Sequence, residues 1–348
     1  MKYDKVAQHL IHGIRIGLYP DQSKIPSEKE IAEKLGVSLT SVRKGLQILC
    51  EKNIITKQQG MRSIVNASAL QAGHRTLHFA WVGRDTQISS TPVLFEIYSR
   101  VVNLFMQSNC HITFLPFHST RDEAMLLRMF NSFDGFLLAS IQPHLLSPEL
   151  QEKFQLLNSV IEIDDIGVSS ARWKICTDNY LAGLQISEYL AEQKRKRPVI
   201  FLSDFADAYP GFSNRNRGLI DGLSAHQIPF VLVPGGEHDL HSSGFADQIA
   251  NLLKKYPDID TVWHPEDAVS LAIRKVFEKV APRAAGHYRS CGVDGLPDEI
   301  KSDKFHASAS HDLDEIARVS VETMLNFFAG QNPASAQTRI TTILSPWK

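Results

Sequence analysis

The chain has 348 residues and a mass of 39.0 kDa, enough for a small domain joined to a large or bilobed one. Hydrophobic residues make up 43% and charged residues 22%, a normal globular composition. The net charge of −1 hides a split: eleven Lys and Arg against six Asp and Glu leave residues 1–66 at +5, and the remainder stands at −6. A basic head on an acidic body suits a protein that holds nucleic acid by one end. No run of eighteen apolar residues and no charged-then-apolar N-terminus occur, so neither a membrane span nor a secretory leader is expected, and the expected location is cytoplasmic. Cys50, Cys110, Cys176 and Cys291 are scattered, without metal-ligand spacing, and are expected as reduced thiols packed in the core.

Residues 4–18 place Val6, Leu10, Ile11 and Ile14 on one helical face. Tyr19-Pro-Asp-Gln-Ser is a turn. Ser27 with Glu30 three residues on forms a capping box, and Ile31, Ala32 and Leu35 give the second helix a short apolar face. Gly36 can adopt the left-handed conformation that ends it, and Ser38 is placed to cap a third helix. Val42, Leu46 and Leu49 face inward there, leaving Thr40, Ser41, Arg43, Lys44 and Gln47 outside. Hydroxyls and cations in the early turns suit a recognition helix in a DNA major groove. Residues 53–65 alternate into two short strands around Gly60, with Lys57 and Arg62 near the tip. Three helices and a basic hairpin make a winged helix.

The order Pro26-Ser27-Glu28, Val37-Ser38, Val42-Arg43 and Gly60 resembles the GntR family of bacterial repressors over about the first 66 residues. The resemblance implies a winged helix that binds operator DNA as a dimer. Its expected DNA contacts are Ser27, Lys29, Thr40, Ser41, Arg43, Lys44, Gly60 and Arg62. Two departures stand out. Leu39 replaces the arginine usual after the capping serine, and Arg62 replaces a second glycine common in the wing.

Residues 67–76 are small and polar without periodicity, and read as a linker. Strands and helices then alternate. Strands are predicted at 77–83, 111–117, 134–139, 159–163, 198–203, 229–233, 260–264 and 288–293. Helices are predicted at 91–108, 121–131, 147–157, 178–193, 213–226, 244–255 and 266–280. Such alternation implies right-handed crossovers and parallel sheets covered by helices on both faces. About 270 residues exceed one comfortable sheet, so two lobes are expected. The early body helix carries Val93, Leu94, Ile97, Val101 and Leu104, an apolar face expected to support a homodimer. The run Lys194-Arg-Lys-Arg197 reads as a solvated helix end, and His238 and His241 as surface-loop residues.

Four segments in this order are similar to the effector domain of LacI-type repressors, which has the fold of periplasmic sugar-binding proteins. They are Thr91-Pro92, Ile175-Cys-Thr-Asp-Asn-Tyr-Leu-Ala-Gly183, Arg215-Asn-Arg-Gly-Leu219 and Cys291-Gly-Val-Asp-Gly295. The resemblance spans residues 77–348 and implies three crossovers between lobes. Carried over, lobe one is 77–177 plus 308–330 and lobe two is 178–307 plus 331–348. The fold class is thus α/β, a winged helix-turn-helix followed by a bilobed body with two parallel sheets.

The resemblance implies a small-molecule effector, a sugar or sugar derivative, in the cleft between lobes. Arg215 matches the arginine that clamps ligand oxygens, with a salt bridge across the cleft as its other reading. Asp294 matches an aspartate that accepts from ligand hydroxyls, or else shapes the turn before Gly295. Glu266 and Asp267 stand where the family often has Asn-Asp, and ionised carboxylates there can only accept hydrogen bonds. Phe95, Trp173 and Tyr209 are candidates for stacking on a sugar face, with core packing as the alternative for each. No phosphate-binding loop, dinucleotide fingerprint or nucleophile elbow occurs, so neither an enzyme nor a cofactor is expected. The chain therefore reads as a ligand-responsive repressor of carbohydrate genes. The alternative is a dimeric DNA-binding module without an effector.

Overall fold

The computed structural model describes residues 2–15, 18–57, 62–66, 76–83, 92–117, 120–139, 141, 146–163, 171–203, 209–235, 240, 242–295, 303–329, 331 and 336–347. Gly60, the linker residues 67–75, Thr91, His238 and His241 lie outside them.

The first unit contains α1 (Lys2–Arg15), α2 (Glu28–Leu35), α3 (Leu39–Glu51) and the antiparallel pair β1 (Ile55–Thr56) and β2 (Ile64–Val65). Val6, Leu10, Ile14, Ile31, Val42, Leu46, Leu49 and Val65 close its own core. The capping box at Ser27 is formed in both directions, and Gly36 ends α2 at φ 62. Ser38 Oγ accepts from the Ser41 backbone N–H at 3.2 Å to start α3.

The first body sheet runs β13-β7-β6-β5-β3-β4, wholly parallel. Its strands are β3 (His78–Gly83), β4 (His111–Pro116), β5 (Gly135–Ala139), β6 (Val160–Ile163), β7 (Trp173–Thr177) and β13 (Gln337–Ile340). One face is covered by α4 (Pro92–Gln107) and α11 (Leu313–Phe328), the other by α5 (Thr120–Met129) and α6 (Pro148–Leu156). Leu94, Ile97 and Val101 are buried in this lobe's own core, with Val93 and Leu104 packed against it. The apolar face expected to support a dimer is thus largely used internally. Phe95 and Met106 are the large apolar side chains that α4 leaves exposed.

The second sheet runs β14-β12-β11-β10-β8-β9, with only β14 antiparallel. It comprises β8 (Pro198–Phe201), β9 (Val231–Val233), β10 (Thr261–Trp263), β11 (Arg289–Asp294), β12 (His306–Ser310) and β14 (Ile343–Ser345). Its faces are covered by α7 (Asn179–Glu192) with α8 (Pro210–Ala225), and by α9 (Ser243–Lys255) with α10 (Asp267–Val280). Helix α8 starts three residues before the expected 213, because Pro210 supplies a preset φ at the first helical position.

The lobe boundaries need two corrections. Residues 331–348 were expected in lobe two, yet β13 pairs with β7 in the first sheet and only β14 joins the second. The open edge of β7 accepts Gln337–Ile340 in parallel register, and Ile340 is buried against that core. Residues 308–310, expected in lobe one, belong to β12 of the second sheet. The chain therefore crosses at 178, at 311–312 and at 341–342. The crossings are tied to one another. The Asp178 N–H donates to Ile340 O at 2.8 Å, and Gln185 Nε2 donates to Thr342 O at 3.3 Å.

The basic run is not simply solvated. Arg195 approaches Asp260 at 3.4 Å and Arg197 approaches Asp258 at 2.8 Å, so the run anchors the approach to β10. The four cysteines are free thiols, three of them buried.

Helices α7 and α8 meet backbone to backbone at Gly183 and Gly218. A Cβ on Gly218 would strike the Tyr180 carbonyl, and one on Gly183 the Arg215 carbonyl. Backbone cannot swing aside as a side-chain tip can. Gly218→Ala is therefore expected to cost about 1–3 kcal/mol of overpacking. Urea unfolding checks this, and an unchanged midpoint would mean that the helices separate freely.

Candidate functional site

Three cations converge on the N-terminal end of α2. Arg43 Nε of α3 donates to Glu28 Oε2 at 2.8 Å, and Lys57 Nζ, just after β1, lies 3.6 Å from Glu28 Oε1. Arg62 Nη2, before β2, lies 3.3 Å from Glu30 Oε1. The Arg43 hydrogen bond is the largest cause holding the Glu28 carboxyl below the usual range. All three cations are about half exposed or more, so each pairing contributes little and is readily exchanged for a phosphate. The N-terminus of a helix adds its own positive end to the cluster.

The other expected contacts divide. Thr40 is exposed on α3, and Lys29 is exposed with Glu33 at 4.0 Å. Ser27 is engaged as the cap of α2, and the Ser41 hydroxyl lies 3.0 Å from that of Ser38. Lys44 is drawn toward α1, its ammonium 5.4 Å from the centre of the Tyr3 ring. Leu39 is 45% exposed, so the first turn of α3 presents an apolar group where the gntR resemblance led to the expectation of an arginine.

The second cluster lies at the C-terminal end of the second sheet. Arg215 is buried on α8. Its Nε donates to Asn179 Oδ1 at 2.8 Å and its Nη1 to Pro265 O at 2.8 Å. Nη1 also lies 3.3 Å from Asp294 Oδ1, and Nη2 lies 3.3 Å from His311 Nε2. Asp294 has φ 132 and precedes Gly295 at φ 75, a stretch of backbone that favours glycine. Partners on several sides hold it there. Arg215 and Asp294, each expected as a ligand contact, thus sit together, within one lobe and not bridging two.

His311 was not singled out from the sequence. It occupies the middle crossing, with Nδ1 at 2.6 Å from Thr177 Oγ1 at the end of β7 and Nε2 at 3.2 Å from Asp294 Oδ1. A neutral imidazole nitrogen either accepts from Arg215 or donates to Asp294, not both. The ring thereby links the first sheet to the Arg215 cluster. The only local signal was its place just before Asp312, which caps α11 by accepting from the Glu315 N–H at 3.0 Å.

Two expected ligand residues lie elsewhere. Trp173 begins β7, at the opposite end of the strand from Thr177, and is 4% exposed with its ring 5.1 Å from that of Phe327. It is a core residue. Asp267 is fully buried, and its carboxylate accepts from the Gly295 N–H at 2.6 Å, from Ser308 Oγ at 2.6 Å and from His306 Nε2 at 2.9 Å. It holds the turn beneath Asp294 and has no room for a ligand hydroxyl. Glu266 precedes α10, its N–H donating to His264 Nδ1 at 3.0 Å. Phe95 is 45% exposed on α4, and Tyr209 is half-buried with its ring 5.6 Å from that of Phe212. Among the described residues no group of His, Cys, Asp and Glu could hold a metal ion, and no helix is long and apolar enough to cross a membrane.

Residues 2–65 match the family described as bacterial regulatory proteins, gntR family. The chain is 36% identical over 62 residues to an uncharacterised HTH-type transcriptional regulator of Mycobacterium tuberculosis, a match covering 18% of this chain and 26% of that regulator. The chain thus spans about a quarter of that relative's length. Among solved structures, a lactose complex of a LacI family transcriptional regulator from Arthrobacter sp. has a TM-score of 0.59 at 17% identity. It covers 78% of this chain and 97% of its own. A complex of the transcriptional regulator CelR with cellobiose has a TM-score of 0.60 at 15% identity, covering 92% and 98%. A glucose-galactose binding protein from Geobacillus stearothermophilus has a TM-score of 0.59 at 18% identity, covering 78% and 97%. The N-terminal unit is a gntR-type winged helix, and the body has the fold shared by LacI-type regulators and periplasmic binding proteins.

Proposed function

We propose, from a gntR-type winged helix joined to a body of periplasmic-binding-protein fold, that this chain is a ligand-responsive transcriptional regulator acting on operator DNA in the cytoplasm. It acts as a homodimeric repressor of carbohydrate-utilisation genes, and a small sugar or sugar derivative between the lobes weakens its hold on DNA. The observation that carries the reading is the Arg215, Asp294 and His311 cluster, set at strand C-terminal ends and linked to Thr177 of the other lobe. Open parallel sheets bind ligands at such ends. A planar guanidinium beside a carboxylate matches vicinal hydroxyls. A ligand that bridges the lobes shifts the population toward the closed form, and coupling of about 1–3 kcal/mol changes operator affinity some 5–150-fold.

On the DNA side, Arg43 and Arg62 supply the main charges, with Lys29, Thr40 and Lys57 beside them. The two half-sites lie about one helical turn apart, or a multiple of it. An Arg43→Ala, Arg62→Ala double variant is expected to lose roughly 2–4 kcal/mol of operator affinity and to flatten its salt dependence by about two phosphate contacts. Fluorescence anisotropy with a duplex selected from random sequence, at two salt concentrations, measures both. Unchanged binding would remove these residues from the interface.

One observation favours a second reading, a dimeric module with no effector. Arg215 already finds Asn179, Pro265, Asp294 and His311 as partners, so the cluster is satisfied by the chain itself. Titrating the operator complex with a panel of mono- and disaccharides separates the two. Release by at least one sugar supports the sensor, and indifference to all of them supports the module.

A further inference from the structure

We propose that a cavity between the winged helix and the first lobe binds a small anion carrying two or more negative charges, and that this anion fixes how the winged helix seats on the body. Helix α1 rests against the turn Phe130–Ser132 of the first lobe. Beside that contact is a cavity of about 310 Å³, walled by α1 and α2 on one side and by Phe130, Asn131 and α6 on the other. This is the size of a small metabolite site.

Four basic groups line it. Lys5 and His9 come from α1, Lys34 from α2 and Lys153 from α6. No carboxylate lines it among the described residues. The rest of the wall is apolar apart from the neutral amide of Asn131, and includes Leu18, Leu35 and Leu157, so no opposite charge among the lining residues offsets the like charges. The Lys153 ammonium lies 5.7 Å from the centre of the ring of Phe130, which also lines the cavity.

His9 registers the field of this cluster. Burial pushes its imidazole down to about 4, and Lys34, Lys153 and Lys5 add to the shift in that order. One of these lysines belongs to the other domain. The adjoining cavity shares His9 and Lys34 and adds Tyr19, Lys24, Glu30 and Arg62. Its one acid, Glu30, is already held by the Ser27 N–H and Arg62. Opposed ammonium groups on two domains repel until an anion lies between them, after which both are attracted to the same centre. Three ammonium groups around one space favour a phosphate ester or a polycarboxylate over a monovalent ion. The site is separate from the Arg215 cluster and does not depend on a sugar effector.

The test uses the full chain without DNA, with inorganic pyrophosphate and citrate as probes. The His9 imidazole is titrated by NMR, and binding is measured by calorimetry. Saturable binding of either probe, with the His9 pKa rising by about one unit or more, supports the site. Preference for one probe names the class of anion. Lys153→Ala, on the body, should weaken binding at least about tenfold, whereas Lys275→Ala on α10 leaves it unchanged. An unmoved His9 titration at about 10 mM of both probes, or binding indifferent to Lys153→Ala, would overturn the proposal.

Discussion

Arg215→Lys is expected to fold, bind operator and fail to respond to effector. The side chain serves four groups in different directions: Asn179 Oδ1, Pro265 O, Asp294 Oδ1 and His311 Nε2. A guanidinium has five N–H donors in a rigid fork and can reach them together. An ammonium on a flexible stem keeps the charge but not the fork. Effector affinity should therefore fall at least about tenfold, or about 1.4 kcal/mol. Arg215→Ala goes further. It leaves the Pro265 carbonyl and the Asp294 carboxylate short of a partner, and should also destabilise the second lobe by about 2–3 kcal/mol. The full buried-pair penalty does not apply, because Asp294 retains 21% side-chain exposure. Titrating the operator complex with the releasing sugar, alongside urea unfolding, reads both effects. A lysine variant that responds normally would place the effector site elsewhere.

Asp267→Asn is expected to act on stability first. Three donors meet on this one carboxylate, one from the turn after β11 and two from β12: the Gly295 N–H, Ser308 Oγ and His306 Nε2. The site is wholly buried, and its charge contributes to the upward shift of the Cys291 thiol, behind burial itself. An asparagine puts an N–H₂ group where an acceptor is required, so at least one buried donor loses its partner. Each loss at a charged acceptor costs about 1.5–3 kcal/mol, and the variant should lose roughly 3–5 kcal/mol. For a body of this size that lowers the melting temperature by roughly 10 °C. Releasing Gly295 also frees the Asp294 turn from its strained φ, so effector affinity falls as a consequence. A variant with wild-type melting and selectively weakened effector binding would restore Asp267 as a direct ligand contact.

Much of this was legible in the chain. The winged helix is local chemistry: Ser27 with Glu30, Gly36 and Ser38 fix where two helices begin and end, whatever else is present. The alternation from 77 to 293 is likewise local, because a buried parallel strand must be an apolar run and its crossover helix must be amphipathic. The stretch after 303 was silent for the same reason. Strand β12 reads His-Ala-Ser-Ala-Ser and β13 reads Gln-Thr-Arg-Ile, neither with a clear period. They are strands because β11 and β7 offer them open edges to pair with.

Sequence by itself determined the two kinds of unit and the order of most of their elements to 293, β7 excepted, and it singled out both Arg215 and Asp294 without pairing them. Each of these depends on neighbours a few residues away or on a motif that travels whole. The tertiary structure alone decided which end of a strand faces the cleft. That put Trp173 in the core and Thr177 at the crossing, four residues apart on one strand. It decided that Asp267 braces a turn and that His311 joins the lobes. It also set Lys153 against α1 and α2 of the winged helix. Hydrogen bonds and charges between residues 28 to 144 positions apart leave no periodic trace in the chain, because any residue of the right chemistry satisfies them once the fold has brought it near.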